Sequence, residues 1–370
     1  IGTAALVGGV FQGNLASVGG GIYGGSSVAL SGTQFLANKA SQGAGASTNG
    51  ALSAIGGVFQ GNAAVNTGGG VYGASTVALT GTQFLTNTAR SGGGALASVA
   101  ATVIGGVFQG NAALEYGGGL YGLSAVSLTG TQFVSNTADF GGGAYAFGAF
   151  SANGATFQTN AAATNGGGFY GSSIVALSGT QFLTNTAVNG NGAGAHANGA
   201  ATVVGGVFQG NAAAASGGGI SGDSTVALTG TQFLSNTAAD GGGAYAVGGA
   251  TFLSATFRGN HAVFNGGGLF GEAPLAVGNS QFLSNTASQG GGLWANDALA
   301  MIGGVLQGNQ ASNYGGGLSG NATLAMTGTY VTGNTAAKHG GGAYANGAAT
   351  VVGGVFQGNQ SGPSGYFGGG

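Results

Sequence analysis

One spacing constrains this chain more than any other property: an asparagine that returns every 24 to 26 residues along the sequence. It is first met in Phe11-Gln12-Gly13-Asn14, followed by Gly19-Gly20-Gly21, and the pair of motifs then repeats. The repeating asparagines are Asn14, Asn38, Asn62, Asn87, Asn111, Asn136, Asn160, Asn185, Asn211, Asn236, Asn260, Asn285, Asn309, Asn334 and Asn359. A fixed period of this size, in a chain rich in glycine and β-branched residues, is the mark of a solenoid whose units contact only their neighbours. The 370 residues are therefore expected to form a single continuous β-solenoid, 1–370, rather than two or three globular domains.

Copies alternate between two flavours, giving a double repeat of about 49 residues. One reads Ala201-Thr-Val-Val-Gly-Gly-Val-Phe-Gln-Gly-Asn211, the other Ser224-Thr-Val-Ala-Leu-Thr-Gly-Thr-Gln-Phe-Leu-Ser-Asn236. Val226 and Leu228 stand two apart, the period of a strand with one buried face. Three short strands per turn are expected, roughly 219–221, 225–228 and 231–234 in this copy. The fold class is all-β: a right-handed parallel β-helix of about 15 rungs of 24–26 residues.

Each recurring residue has a task in that fold. Phe35, Phe84, Phe133, Phe182, Phe233 and Phe282 are expected inside, stacked on their counterparts one rung away. The asparagines are expected to close a strand and form an amide ladder at one corner. Glycines supply turns that a Cβ would obstruct. Looser packing is expected where Leu306 and Val331 replace the stacked phenylalanine, and where Gln360 to Tyr366 lengthens the last turn.

Composition excludes several functions. Glycine makes up 89 residues without a triplet period, which removes collagen, and 43% apolar residues at fixed places remove a disordered chain. Only Lys39, Arg90, Glu115, Asp139, Asp223, Asp240, Arg258, Glu272, Asp297 and Lys338 are charged, for a net charge of −2. Nucleic-acid binding needs a field of cations that is absent, and no basic membrane-surface patch exists. No apolar run reaches membrane-spanning length, so a membrane-embedded chain is not expected. A surface this neutral offers little repulsion against self-association. With no cysteine there is neither a disulfide framework nor a cysteine zinc site.

Phe-x-x-Asn with Gly-Gly-Ala/Ile/Leu, as in Gly19-Gly-Gly-Ile-Tyr-Gly and Ser27-Val-Ala-Leu-Ser-Gly-Thr-Gln-Phe-Leu-Ala-Asn38, resembles the repeats of the polymorphic outer-membrane protein family of autotransporters. It is also similar to other bacterial surface-anchored right-handed β-helix proteins. The resemblance covers essentially the whole chain. It implies an extracellular or cell-surface solenoid, often adhesive, with surface polysaccharide or a host surface as a partner.

Catalysis by a β-helix enzyme acting on carbohydrate needs clustered carboxylates with a base or metal. The one candidate cluster is Arg90, Glu115 and Asp139, three or four residues beyond the motif asparagine on successive rungs; Asp240 and Lys338 occupy the same turn further along. Solvated surface charges with an Arg–Glu contact are the plainer reading. His196, His261 and His339 fall at different places in the rung, so no shared metal site is expected. No catalytic residue and no cofactor are expected.

An aromatic column is the most distinctive surface candidate. Tyr23, Tyr72, Tyr121, Tyr145, Tyr170, Tyr245, Phe270, Trp294 and Tyr344 each follow the apolar residue after a glycine triplet. Ser47, Leu96, His196, Ser221 and Ser319 take that place in other copies. Strand alternation puts these aromatics outside if Ile22, Val71, Leu120, Ala144 and Phe169 point in. An exposed stripe would stack on sugars or on another rod; the opposite arrangement makes the aromatics core. Thr-x-Thr pairs at Thr80/Thr82, Thr129/Thr131, Thr229/Thr231 and Thr327/Thr329 raise an ice-binding reading, which their restriction to alternate rungs disfavours.

The leading expectation is a non-enzymatic structural subunit of a bacterial surface fibre or sheath, associating head-to-tail and also laterally with itself. The alternative is an adhesive passenger segment of a larger autotransported protein.

Overall fold

The computed structural model describes residues 3–362. The chain divides into two compact units, Ile1–Ala176 with Thr184–Val188, and Leu177–Leu183 with Asn189–Gly370. Each is a parallel β-solenoid, and among the described residues there is no helix.

A turn of the first unit consists of Thr76–Thr80, Gln83–Leu85, Thr88–Ala89 and Ala95–Ala97. These four strands belong to four different sheets, here called first to fourth in that order. Each pairs in parallel with its counterpart in the next turn: Val77 with Ala101, Phe84 with Phe108, Ala89 with Ala113 and Ala95 with Leu120. The second unit repeats the scheme, with Val226 opposite Ala250, Phe233 opposite Phe257, Ala238 opposite Ala262 and Ala244 opposite Leu269. Four sheets rather than three strands per turn is the correction to the sequence reading. The added element is the third sheet, whose strands are often only two residues long and carry no period to be read.

The first sheet alternates strictly. Val77 and Leu79 are buried while Thr76, Ala78 and Thr80 are exposed. Phe84 from the second sheet and Ala95 and Ala97 from the fourth complete the interior of the same turn. The phenylalanines stack: Phe35, Phe59, Phe84, Phe108, Phe133 and Phe157 follow one another at 4.6–4.9 Å between ring centres, nearly parallel. In the second unit Phe182, Phe208, Phe233, Phe257 and Phe282 do the same at 4.7–4.9 Å. Parallel rings at this separation are offset-stacked, an arrangement contributing about 0.5–1.5 kcal/mol per pair beyond burial. Leu306 and Val331, where looser packing was expected, are as fully buried as the phenylalanines. Pro363 to Tyr366, the rest of the lengthened last turn, lie outside the described residues.

The corner after the second sheet is left-handed in both flavours. Where the sequence has Phe-Gln-Gly-Asn the glycine takes it, as Gly110 does at φ 63°; in the other flavour Thr86 and Ser135 hold φ of 51° and 54°. The last glycine of each triplet has a different reason. A Cβ on Gly119 would lie 2.6 Å from the Gly143 carbonyl oxygen and 2.8 Å from the Phe133 ring. The close seat of the Phe stack against the fourth sheet therefore depends on the missing side chain.

Candidate functional site

The asparagines sit immediately past that left-handed corner, and from Asn38 to Asn334 they are fully buried. Asn136 shows the pattern. Its Oδ1 accepts from the Asn111 backbone N–H and from Asn111 Nδ2, both at 2.9 Å. Its Nδ2 donates to the Phe108 carbonyl at 2.8 Å and to Asn160 Oδ1 at 2.9 Å. Two donors and two acceptor positions are thus all used, which a buried amide requires. In the first unit the chain of bonds runs from Asn14 through Asn38, Asn62, Asn87, Asn111, Asn136 and Asn160 to Asn185. In the second it runs from Asn211 through Asn236, Asn260, Asn285, Asn309 and Asn334 to Asn359. Aspartate would lose both donors and add a buried charge. Glutamine would add a methylene to a side chain that is already fully buried. The ladder is structural, and at its buried members, as at Asn136, the amide is spent internally.

The aromatic column is less exposed than the sequence reading supposes. The preceding residues Leu120, Phe169, Leu269 and Leu293 are buried in the interior, which leaves the aromatics on the outer side of the fourth sheet. Tyr23 is exposed at 48%, yet Tyr72, Tyr121, Tyr245 and Tyr344 are half-buried, and Tyr145, Tyr170, Phe270 and Trp294 are buried. Two causes combine. Where aromatics follow one another the rings pack, face to face for Tyr145 on Tyr170 at 4.9 Å and Phe270 on Trp294 at 4.5 Å, edge to face for Tyr121 on Tyr145 at 5.2 Å. The residue just before the glycine triplet also folds over them: Tyr116 lies 5.0 Å from Tyr145, Phe140 5.6 Å from Tyr170 and Tyr314 5.0 Å from Tyr344. Ser47, Ser221, Ser319 and His196 at the same place are buried too. From Tyr121 to Tyr170 and from Tyr245 to Trp294 neighbouring rings pack on one another as an outer seam, whereas Tyr23, beside Ser47, stays exposed.

The charged cluster resolves into local pairs. Arg90 and Glu115 form an exposed ion pair at 2.7 Å, with Ser91 Oγ 3.5 Å from the Glu115 carboxylate. The hydrogen bond from Arg90 holds the Glu115 carboxyl below its ordinary range, the opposite of what a general acid needs. Asp139 bonds instead to Thr164, and Asp240 accepts from the backbone and side-chain nitrogens of Asn265. In the second unit His196 Nε2 lies 2.8 Å from Asn198 Oδ1 and 3.5 Å from Asp223, whose pKa that contact lowers. Tyr245 is hydrogen-bonded to Glu272. An open groove of about 650 Å³ follows the outer side of the third sheet in the second unit, lined by His261, Thr286, Ser288, Gln310 and small residues. His261 is the one ionisable side chain of that lining, and it bonds Thr286 at 2.8 Å. Among the described residues no group of three His, Cys, Asp or Glu is placed to hold a metal.

The Thr-x-Thr pairs do not form one surface. Thr80 is exposed while Thr82 is buried, and Thr131, Thr231 and Thr329 are buried likewise. The second threonine lies past a glycine corner and turns its hydroxyl to backbone carbonyls, as Thr231 does to Gly205 at 3.1 Å. Comparison with known proteins adds no further guide: no protein family, curated protein or solved structure matches this chain.

Proposed function

We propose that the protein is a structural subunit, displayed outside the cell, that builds a fibre or sheath by associating with copies of itself. One observation carries the reading. Turn after turn, the side chains with chemical capacity are consumed by the same internal tasks, the amide ladder and the stacked rings, while the outside carries ten charges in 370 residues. A surface so sparsely charged lacks the repulsion that keeps ordinary soluble chains apart. The extracellular setting rests on the resemblance of the Phe-x-x-Asn and Gly-Gly-x repeats to autotransporter passengers.

The test is the behaviour of the purified chain. Sedimentation velocity across a wide concentration range should show concentration-dependent assembly, and negative-stain microscopy should show ordered filaments or sheets. A monomer at every concentration, with no ordered assembly in the micrographs, would overturn the proposal.

A further inference from the structure

The outer face of the first sheet has a pattern that the internal tasks do not explain. In the first unit it is built from seven strands: Ala4–Val7, Val28–Ser31, Leu52–Ile55, Thr76–Thr80, Ala100–Ile104, Ala125–Thr129 and Phe150–Asn153. One outward column reads Val7, Ser31, Ile55, Thr80, Ile104, Thr129 and Asn153, each in register with the next. The second unit gives Val204, Thr229, Leu253, Gly278, Ile302, Thr327 and Val352, again in register. Large apolar and small residues thus alternate turn by turn in both units, except that Asn153 takes the last apolar place in the first. The apolar members are well exposed, Ile55 at 59%, Leu253 at 45% and Ile302 at 64%. The column beside it is small throughout: Ala29, Ser53, Ala78, Thr102 and Ser127 in the first unit, Ala227, Thr251, Ala276, Ala300 and Ala325 in the second. None of the ten charged residues lies on these strands.

We infer that this face is a lateral interface whose occupant is the same face of a second copy, related by a two-fold axis and offset by one turn. The inference rests on the self-association proposed above and specifies its surface. With strands ~4.8 Å apart, an apolar ridge rises every two turns, roughly 9.6 Å. Between ridges lies a low row of Thr, Ser or Gly; at Gly278 the neighbouring ridge residue Leu253 leans over the glycine, where a Cβ would meet its Cδ2 at 2.8 Å. Ridges of one copy fit the low rows of the other, and the small column lets the two sheets approach. Without a charge on either side, face-to-face contact buries no unpaired ion and opposes no like charges. Seven strands of four to five residues cover roughly 34 Å by 15 Å in one unit, about 500 Å² per copy. The pair would then bury about 1,000 Å², the lower limit of a specific interface. An isologous contact of this kind closes on itself, so it joins filaments in pairs and does not extend them.

Three sets of variants in the full chain test this, each read by sedimentation velocity, with circular dichroism to confirm the β fold. Ile55→Lys with Ile104→Lys, and separately Leu253→Lys with Ile302→Lys, should raise the concentration needed for lateral pairing by at least about tenfold. The controls Leu114→Lys and Val263→Lys, at exposed apolar positions on the turn after the third sheet, should leave it unchanged. The third set fills the low rows: Thr80→Ile with Thr129→Ile makes the face more apolar but removes the fit. Weaker pairing supports interdigitation; stronger pairing refutes it, even if the lysine variants fail to fold. If the unmodified chain stays monomeric, self-association itself is wrong. If it assembles and the lysine and isoleucine variants assemble equally well, only the assignment of this face is wrong.

Discussion

At the scale of single residues, the buried asparagine is the least replaceable side chain. Removing Asn136 strands the Phe108 carbonyl, the two Asn111 donors and one acceptor position on Asn160. Each buried group left unpaired costs about 1–3 kcal/mol. Asn136→Ala should therefore destabilise by about 3 kcal/mol or more, measured by chemical denaturation. The residue one place earlier behaves oppositely. Thr86 holds a left-handed conformation that costs an L-residue about 1–2 kcal/mol. Glycine stands at the equivalent place in the other flavour, so Thr86→Gly should be neutral or stabilise by up to about 1 kcal/mol in the same assay. The position of the asparagine in the turn was legible from its period. So was the ladder from one asparagine to the next; the bond from each amide to a phenylalanine carbonyl, as from Asn136 to Phe108, was not, because it crosses from the corner to the second sheet of the preceding turn.

Elements reveal where sequence reading stops. Period-two alternation announced the first sheet, and the recurrent phenylalanine announced the second, because each needs only its own strand to be recognised. The third sheet has no such signal in pairs like Thr88–Ala89. The covering of the aromatic column was equally hidden. It depends on Tyr116 folding beside Tyr145 and on the Tyr145 hydroxyl lying 2.7 Å from Ser172 Oγ, contacts made between turns. Glycines of different motifs also divide by element. Gly130 has a positive φ with open space around it, whereas Gly119 lies against a carbonyl and a ring. Gly130→Ala should cost about 1 kcal/mol, and Gly119→Ala clearly more, toward or beyond about 3 kcal/mol, because it overpacks the Phe stack. Equal losses on thermal unfolding would contradict the distinct roles given to the two glycines.

For the molecule as a whole, the sparse charge makes pH act through few groups. Burial pushes the Tyr121 hydroxyl up to about 12, and burial together with Glu272 pushes Tyr245 the same way. In the unfolded chain tyrosine ionises near pH 10. A raised folded value means that the unfolded state releases its proton first. The contribution of Tyr121 is therefore complete below about pH 10 and lost by about pH 12. Glu115 and Asp223 are lowered, so their contribution holds above about pH 4 and fades below it, weakly for the exposed Arg90–Glu115 pair. A melting temperature that falls above pH 10 in the unmodified chain, and less steeply in Tyr121→Phe, is the expected result. The amide ladder has a further consequence, for the chemical ageing of the protein. Asparagine deamidates when the backbone nitrogen of the following residue attacks the side-chain carbonyl carbon. At the ladder positions that nitrogen is held elsewhere, as Thr137 N is on the Asn111 carbonyl at 2.9 Å, and the amide is pinned on both sides. None of these asparagines precedes glycine, whereas the exposed Asn153 and Asn346 do. After long incubation, peptide mass spectrometry should find conversion at Asn153 and Asn346 while the ladder stays intact, leaving a scaffold that wears at its surface and keeps its spine.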